Sequence, residues 1–280
     1  MAKRKTSTGS SVSEREDAAK GRLESAAGTA GAAPSEVISR YLEAMYYIDA
    51  EGESVRSARL ADWLGVSRPT VTVAVRRMVR DGMVRLDGRK QVVLTDKGRQ
   101  AAASVVRRHR IMERWLTDSL GLDWLQADEE AARLEHAVSE AVEQRLWDHL
   151  GRPLTCPHGN PIPGHAELNP DEVRLASLPQ GSSAVVTRIS EVAEREAPTL
   201  LRYLWDRRLV PGAALSVMEA DSVGLTLRLK LADREVVLSH ETAAKLWTRP
   251  EASATRRPPS GVDQVRKPAG RGNNQLVSAP

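Results

Sequence analysis

The chain has 280 residues, of which 41% are hydrophobic and 28% charged, and a formal net charge of +4. That is length enough for two or three small units with separate cores, and no apolar run approaches the length that spans a bilayer. The single cysteine, Cys156, excludes an internal disulfide framework; the basic start passes into Ser, Glu, Gly and Ala with no apolar stretch, so no secretory signal is expected and the setting reads as a reducing cytoplasm.

Residues 1–34 are rich in Ser, Gly, Ala and mixed charge with almost nothing bulky to bury, and a disordered arm is expected there. Its basic start, Lys3, Arg4 and Lys5, is placed to touch a phosphate backbone or simply to keep the tail solvated. The next segment places Val37, Ile38, Tyr41, Leu42, Met45 and Ile48 on one side of a helix that Gly52 ends.

A short helix over 57–64, a turn at Gly65 and Val66, and a longer helix opened by Ser67 as N-cap with Pro69 in its first turn form a helix-turn-helix pattern. Two short apolar strands around Asp87, Gly88, Arg89 and Lys90 add a hairpin with a basic tip, giving a winged helix-turn-helix. Arg68, Arg76, Arg77, Arg80, Arg85, Arg89 and Lys90 face only Asp81 and Asp87 in this stretch, the balance expected of a surface that neutralises phosphates beside a major groove. The candidate DNA contacts are Ser67, Arg68, Pro69, Thr70, Thr72, Arg76, Arg77, Arg89 and Lys90. Ser67, Pro69, Thr70 and Val73 would lie nearest the base edges, with methyl contact to thymine open to Val73. The plain alternative is a solvated arginine face on a dimerisation module.

The stretch 105–146 repeats imidazole and carboxylate at helical spacing in an apolar frame and reads as two helices broken at Gly121 and Asp123. On the first, His109 and Glu113 share a face; on the second, Asp128, Glu135 and His136 fall on neighbouring faces, and Leu134, Val138, Ala141 and Val142 fill a core stripe. This donor set suits Mn(II), Fe(II), Co(II) or Zn(II), and its plain alternative is solvated charge flanking a helical core. The proline-rich run over 151–164 is irregular. Its Cys156 and His158 are two ligands without a second pair, and a rigid turn packed against the helices is favoured there.

From Ser182 the period changes to two, clearest where Leu225, Leu227, Leu229 and Leu231 alternate with polar residues, and further short strands flank a helix over 198–208. A small β-barrel is expected. The fold class is therefore α+β. Its expected parts are a disordered arm 1–34, a winged helix-turn-helix 35–100, a helical dimerisation and metal-binding unit 101–165, a linker 166–181, an SH3-like barrel 182–248 and a disordered tail 249–280.

This order, with RHR-x-x-E at 108–113, EH-x-x-S at 135–139 and GNPIPG at 159–164, resembles the diphtheria toxin repressor family of iron- and manganese-dependent regulators over roughly residues 35–247. The resemblance implies a homodimer joined through the second unit. It implies binding of double-stranded DNA at a pseudo-palindromic operator as a repressor, promoted by Mn(II) or Fe(II), with no membrane and no small-molecule substrate as partner. It also implies an ancillary site of His109, Glu113 and Glu196, with Asp128 where histidine is usual and Thr199 where glutamine is usual. In the primary site Glu135 and His136 match, and Glu43 matches a manganese-type ligand. Arg40 stands where methionine or aspartate is usual, and Ala132 where cysteine or glutamate is usual. Three readings stay open: the remaining ligands regroup around a shifted ion; only the ancillary site holds metal; or Arg40 pairs with Glu135 as a fixed cation and DNA binding is independent of metal. In the plain alternative Arg40 points to solvent and pairs with Glu36. A hydrolytic metal site is the reading from another class, but the sequence lacks H-E-x-x-H, Gly-x-Ser-x-Gly and a phosphate-cradling glycine loop, and no enzyme is expected.

Overall fold

The computed structural model describes residues 34–196 and 198–251, with the side chains of 194–198 excepted. The expected arm and tail lie outside the described residues, apart from Pro34 and residues 249–251, where the last strand runs on to Pro250.

The first unit is built on α1 (Glu36–Ala50), α2 (Ser57–Leu64) and α3 (Arg68–Arg80), followed by β1 (Val84–Leu86) paired antiparallel with β2 (Val92–Leu94). Ile38, Tyr41, Leu42, Met45 and Ile48 of α1 are buried against Leu60, Val71, Val75 and Met78, as the helical period requires. Val37, expected on that face, is instead 63% exposed and lines an open cleft beside α3. Gly65, in the left-handed region at φ +64°, lets the chain turn between α2 and α3.

The second unit begins with α4 (Asp96–Asp118), capped by Thr95, whose hydroxyl accepts from the Gly98 amide at 3.1 Å. The second expected helix is two: α5 (Trp124–Leu134) and α6 (Glu140–His149). The first ends at Leu134, and Ser139 starts the second, its hydroxyl accepting from the Val142 amide as an N-cap. The expected core stripe is consequently split: Leu134 and Val138 are half-buried beside Met112, Leu116, Ala127 and Ala131, whereas Ala141 and Val142 face outward.

The third unit is a six-stranded antiparallel sheet in the order β3-β8-β4-β5-β6-β7, from β3 (Val173–Arg174), β4 (Ser183–Ile189), β5 (Ala214–Asp221), β6 (Thr226–Lys230), β7 (Glu235–Ser239) and β8 (Leu246–Pro250). Two short helices, α7 (Glu191–Glu196) and α8 (Pro198–Asp206), follow β4, and α9 (His240–Ala243) follows β7. Leu227 and Leu229 turn inward as the alternation requires, while Leu225, at φ +51°, is 61% exposed in the preceding turn. The expected linker is partly sheet: β3 sits at its edge, and Leu175 and Leu178 join the core of this unit.

Two buried contacts tie the third unit to the others. Glu51, just past α1, has a fully buried side chain that accepts from Arg188 at 3.0 Å, from Arg174 and from the Trp247 indole at 3.0 Å. Arg110 of α4 is 3% exposed and donates to the Pro161 carbonyl and the Glu191 carboxylate. The loop carrying Cys156 and His158 is pinned between α4 and β4. Asn160 donates to the Ile189 carbonyl at 3.0 Å, and a Cβ on Gly159 would lie 2.1 Å from the Thr187 carbonyl oxygen.

Candidate metal centre and nucleic-acid interface

The metal-ligating side chains meet where α1, α4 and α5 converge. His109 is buried on α4 and uses both ring nitrogens. Its Nδ1 lies 2.8 Å from Glu135, and its Nε2 lies 3.3 Å from Asp128 and 3.6 Å from Glu113. Two triads therefore share this imidazole, Glu43–His109–Glu135 on one side and His109–Glu113–Asp128 on the other, each with ligand atoms within 4.8 Å of one another. The first joins α1 of the helix-turn-helix unit to α4 and the end of α5. A cavity of about 400 Å³ opens there, lined among others by Arg40, Glu43, His109, Asp128, Ala132 and Glu135.

The electrostatics of the cluster are those of crowded carboxylates around one base. Burial, then the Glu135 charge, push the Glu43 carboxyl up to about 7, against the pull of His109 and a hydrogen bond from the Tyr47 hydroxyl at 3.0 Å. For His109 burial works against the cation, but the charge and hydrogen bonds of Glu113, Asp128 and Glu135 outweigh it and hold the imidazole well above its ordinary value. Glu113 is likewise opposed by burial yet driven below the usual carboxylate range by His158 and His109. A proton on His109 thus sits among acids whose lone pairs suit a divalent ion. Imidazole and carboxylate within 4.8 Å in a buried pocket fit such an ion chemically.

Glu113 also closes a third triad with Cys156 and His158, its Oε1 being 3.2 Å from the His158 Nδ1. On sequence alone the two loop residues made a weak pair, because their third partner lies on a helix far away in the chain. The thiol makes this set softer than the other two.

The candidate DNA contacts are all exposed. Ser67, Arg68, Pro69, Thr70, Thr72, Arg76 and Arg77 are all exposed along α3, and Arg89 and Lys90 at the hairpin tip. The Ser67 hydroxyl accepts from the Thr70 amide at 3.3 Å and shares a hydrogen bond of 2.8 Å with the Thr70 hydroxyl. Asp87 organises the tip by accepting from the Arg89 and Gln91 amides, each at 2.8 Å. Arg77 and Arg80 lean on Asp81, at 3.8 and 3.3 Å.

Three family descriptions match in chain order: "Iron dependent repressor, N-terminal DNA binding domain" over residues 35–92, "Iron dependent repressor, metal binding and dimerisation domain" over 95–164, and "FeoA domain" over 173–250. The iron-dependent repressor IdeR of Mycobacterium tuberculosis is 40% identical over 214 residues, which cover 72% of this chain and 92% of IdeR. The chain belongs to the iron-dependent repressor family. The diphtheria toxin repressor of Corynebacterium diphtheriae is 44% identical over 190 residues, 65% of this chain and 84% of that protein. A solved manganese-dependent transcriptional repressor in complex with manganese superposes with a TM-score of 0.69 at 31% identity, covering 76% of this chain and all of the other. No helix among the described residues is long and apolar enough to cross a membrane.

Against the pattern of the family, the fixed-cation reading of Arg40 fails. Arg40 is exposed at the cavity rim, and the Glu135 carboxylate is engaged by His109 at 2.8 Å and approached by His136 at 3.4 Å. Of the readings left open, the Arg40–Glu135 pair is not formed, and α1 carries Arg40 to solvent. His136 itself lies outside all three triads, and Ala132 is exposed. The Glu196 side chain lies outside the described residues, and Thr199 lines a separate surface cleft with Tyr203 and Lys245.

Proposed function

We propose that this chain is a divalent-metal-dependent repressor, acting in the cytoplasm as a homodimer on double-stranded DNA, without catalytic turnover. The observation that carries the reading is the Glu43–His109–Glu135 triad, because among the described residues it alone of the candidate triads spans the helix-turn-helix unit and the helical unit. Glu43, His109 and Glu135 would hold Mn(II) or Fe(II), with Asp128 and Glu113 on the far side of the shared imidazole and Glu196 as a further candidate. When bound, the ion supplies the positive charge that cancels repulsion between Glu43 and Glu135. Glu43 then holds α1 against α4 and α5, and so fixes where α3 stands relative to the dimer partner's α3. Ser67, Arg68, Pro69, Thr70, Thr72, Arg76 and Arg77 on α3, with Arg89 and Lys90 on the hairpin, are the proposed DNA contacts. Outward Leu120, Val142 and Leu154 of the helical unit, 54%, 47% and 58% exposed, supply apolar surface for the partner copy.

The names of the relatives, iron-dependent in one group and manganese-dependent in another, support an ion of this pair. The test is duplex affinity at fixed salt, using the DNA upstream of the protein's own gene, with EDTA and then with Mn(II) or Fe(II). At least a tenfold gain on adding metal is expected, on the order of 1.4 kcal/mol of coupling. Equal affinity in EDTA and in metal would overturn the reading.

A further inference from the structure

We propose that Val73 is a base-reading residue that selects thymine through its 5-methyl group in the major groove. The inference rests on the DNA-binding reading above and adds the source of sequence discrimination. Val71, Val75 and Met78 fill the inner face of α3, so packing does not call for a valine at 73, which is 68% exposed. A lone exposed valine is ordinary; the company of Val73 is what marks it. At helical spacing it lies among Pro69, Thr70, Arg76 and Arg77, in the middle of the cationic face that would meet phosphates on both sides.

The polar neighbours spend part of their hydrogen-bonding capacity on one another and on the backbone. The Ser67 and Thr70 hydroxyls bond each other at 2.8 Å, and the Thr72 hydroxyl donates to the Arg68 carbonyl at 3.0 Å. The α3 sequence RPTVTVAVRRMVR holds no Asn, Gln, Asp or Glu, so it has no side chain for the bidentate reading of adenine or for accepting from cytosine. Thymine is the base that presents an apolar group in the major groove. Val73, continued by Pro69, Ala74 and Val37 along an open apolar cleft, is built to meet it.

The experiment begins with duplexes selected from a random pool by the full-length chain with Mn(II) at fixed salt. Each thymine of the selected sequence is then replaced by deoxyuridine, which pairs identically but lacks the methyl. At one thymine per half-site this change is expected to weaken wild-type binding about three- to tenfold. Val73→Ala should bind thymine and deoxyuridine equally at that position, and Val73→Gln should move the selected base there from thymine toward adenine. Because Val73 is exposed, both variants should unfold at the wild-type temperature. Identical deoxyuridine penalties in wild type and Val73→Ala would overturn the inference while leaving DNA binding intact. Enrichment of no sequence at all, with or without metal, would overturn the DNA-binding reading and the inference together.

Discussion

Two carboxylates at α1, the half-buried Glu43 on the helix and the buried Glu51 just past its end, are neutralised in opposite ways. Glu51 is enclosed by Arg174, Arg188 and the Trp247 indole, all from the sheet unit. Burial alone would raise its carboxyl, but Arg188 and Arg174 outweigh it and hold it below the usual range. Glu43 faces another carboxylate, Glu135, across a single imidazole, and is pushed up to about 7. Guanidinium groups cannot leave, so the Glu51 junction is permanent. Only a proton or a metal ion can fill the same role at Glu43, so that junction is conditional. One end of the DNA-binding unit is thus fastened to the rest by fixed charge, while its middle waits for a removable one.

The largest effect should follow from breaking the permanent side. Glu51→Gln removes one of the two carboxylates that Arg188 engages, Glu172 at 2.8 Å being the other, and a loss of about 2 to 3 kcal/mol is expected, read by urea unfolding with tryptophan fluorescence. Unchanged stability would mean that the arginines find other partners.

Acid titration of the metal-free protein should sharpen the contrast, because the two groups act with opposite signs. A depressed carboxyl such as Glu51 stabilises above its unfolded value, and that stability is lost as pH falls through the lower folded value. A raised carboxyl such as Glu43 stays protonated longer when folded, so its contribution is lost as pH rises from the unfolded value near 4.5 to about 7. Unfolding curves at a series of pH values should show Glu43→Gln flattening the slope between those limits, and Glu51→Gln flattening the slope below them.

The smallest effect is expected at Arg40. Exposed on α1, it should tolerate Arg40→Ala within about 0.5 kcal/mol of stability, with Mn(II) affinity unchanged in a titration. A large change in either would restore Arg40 to the centre.

Much of the fold was legible because it depends on neighbours in sequence. Ser67 as a cap, Pro69 in the first turn and the alternation around Leu227 and Leu229 each act within a few residues. The pairing of His109 with Glu113 was legible for the same reason, being one helical turn apart. The nearness of Glu113 to Cys156 and His158, and the enclosure of Glu51, are not legible in the sequence, because the partners stand on distant elements that no periodicity encodes. The break before Ser139 was missed since a capping serine inside a long amphipathic pattern reads equally as a surface residue. The place of Arg40 is left open by the sequence, which allows a pair with Glu135 and a solvent-facing position alike, and its exposure on α1 decides for solvent.

The most direct test of the removable charge is Mn(II) binding by calorimetry to wild type, Glu43→Gln and Glu51→Gln at pH 7.5. Glu43→Gln is expected to weaken binding by about tenfold or more, and Glu51→Gln to bind as wild type does while unfolding more easily. Full-strength Mn(II) binding by Glu43→Gln would contradict the account, because the ion would then not be held at the junction between the DNA-binding unit and the helices.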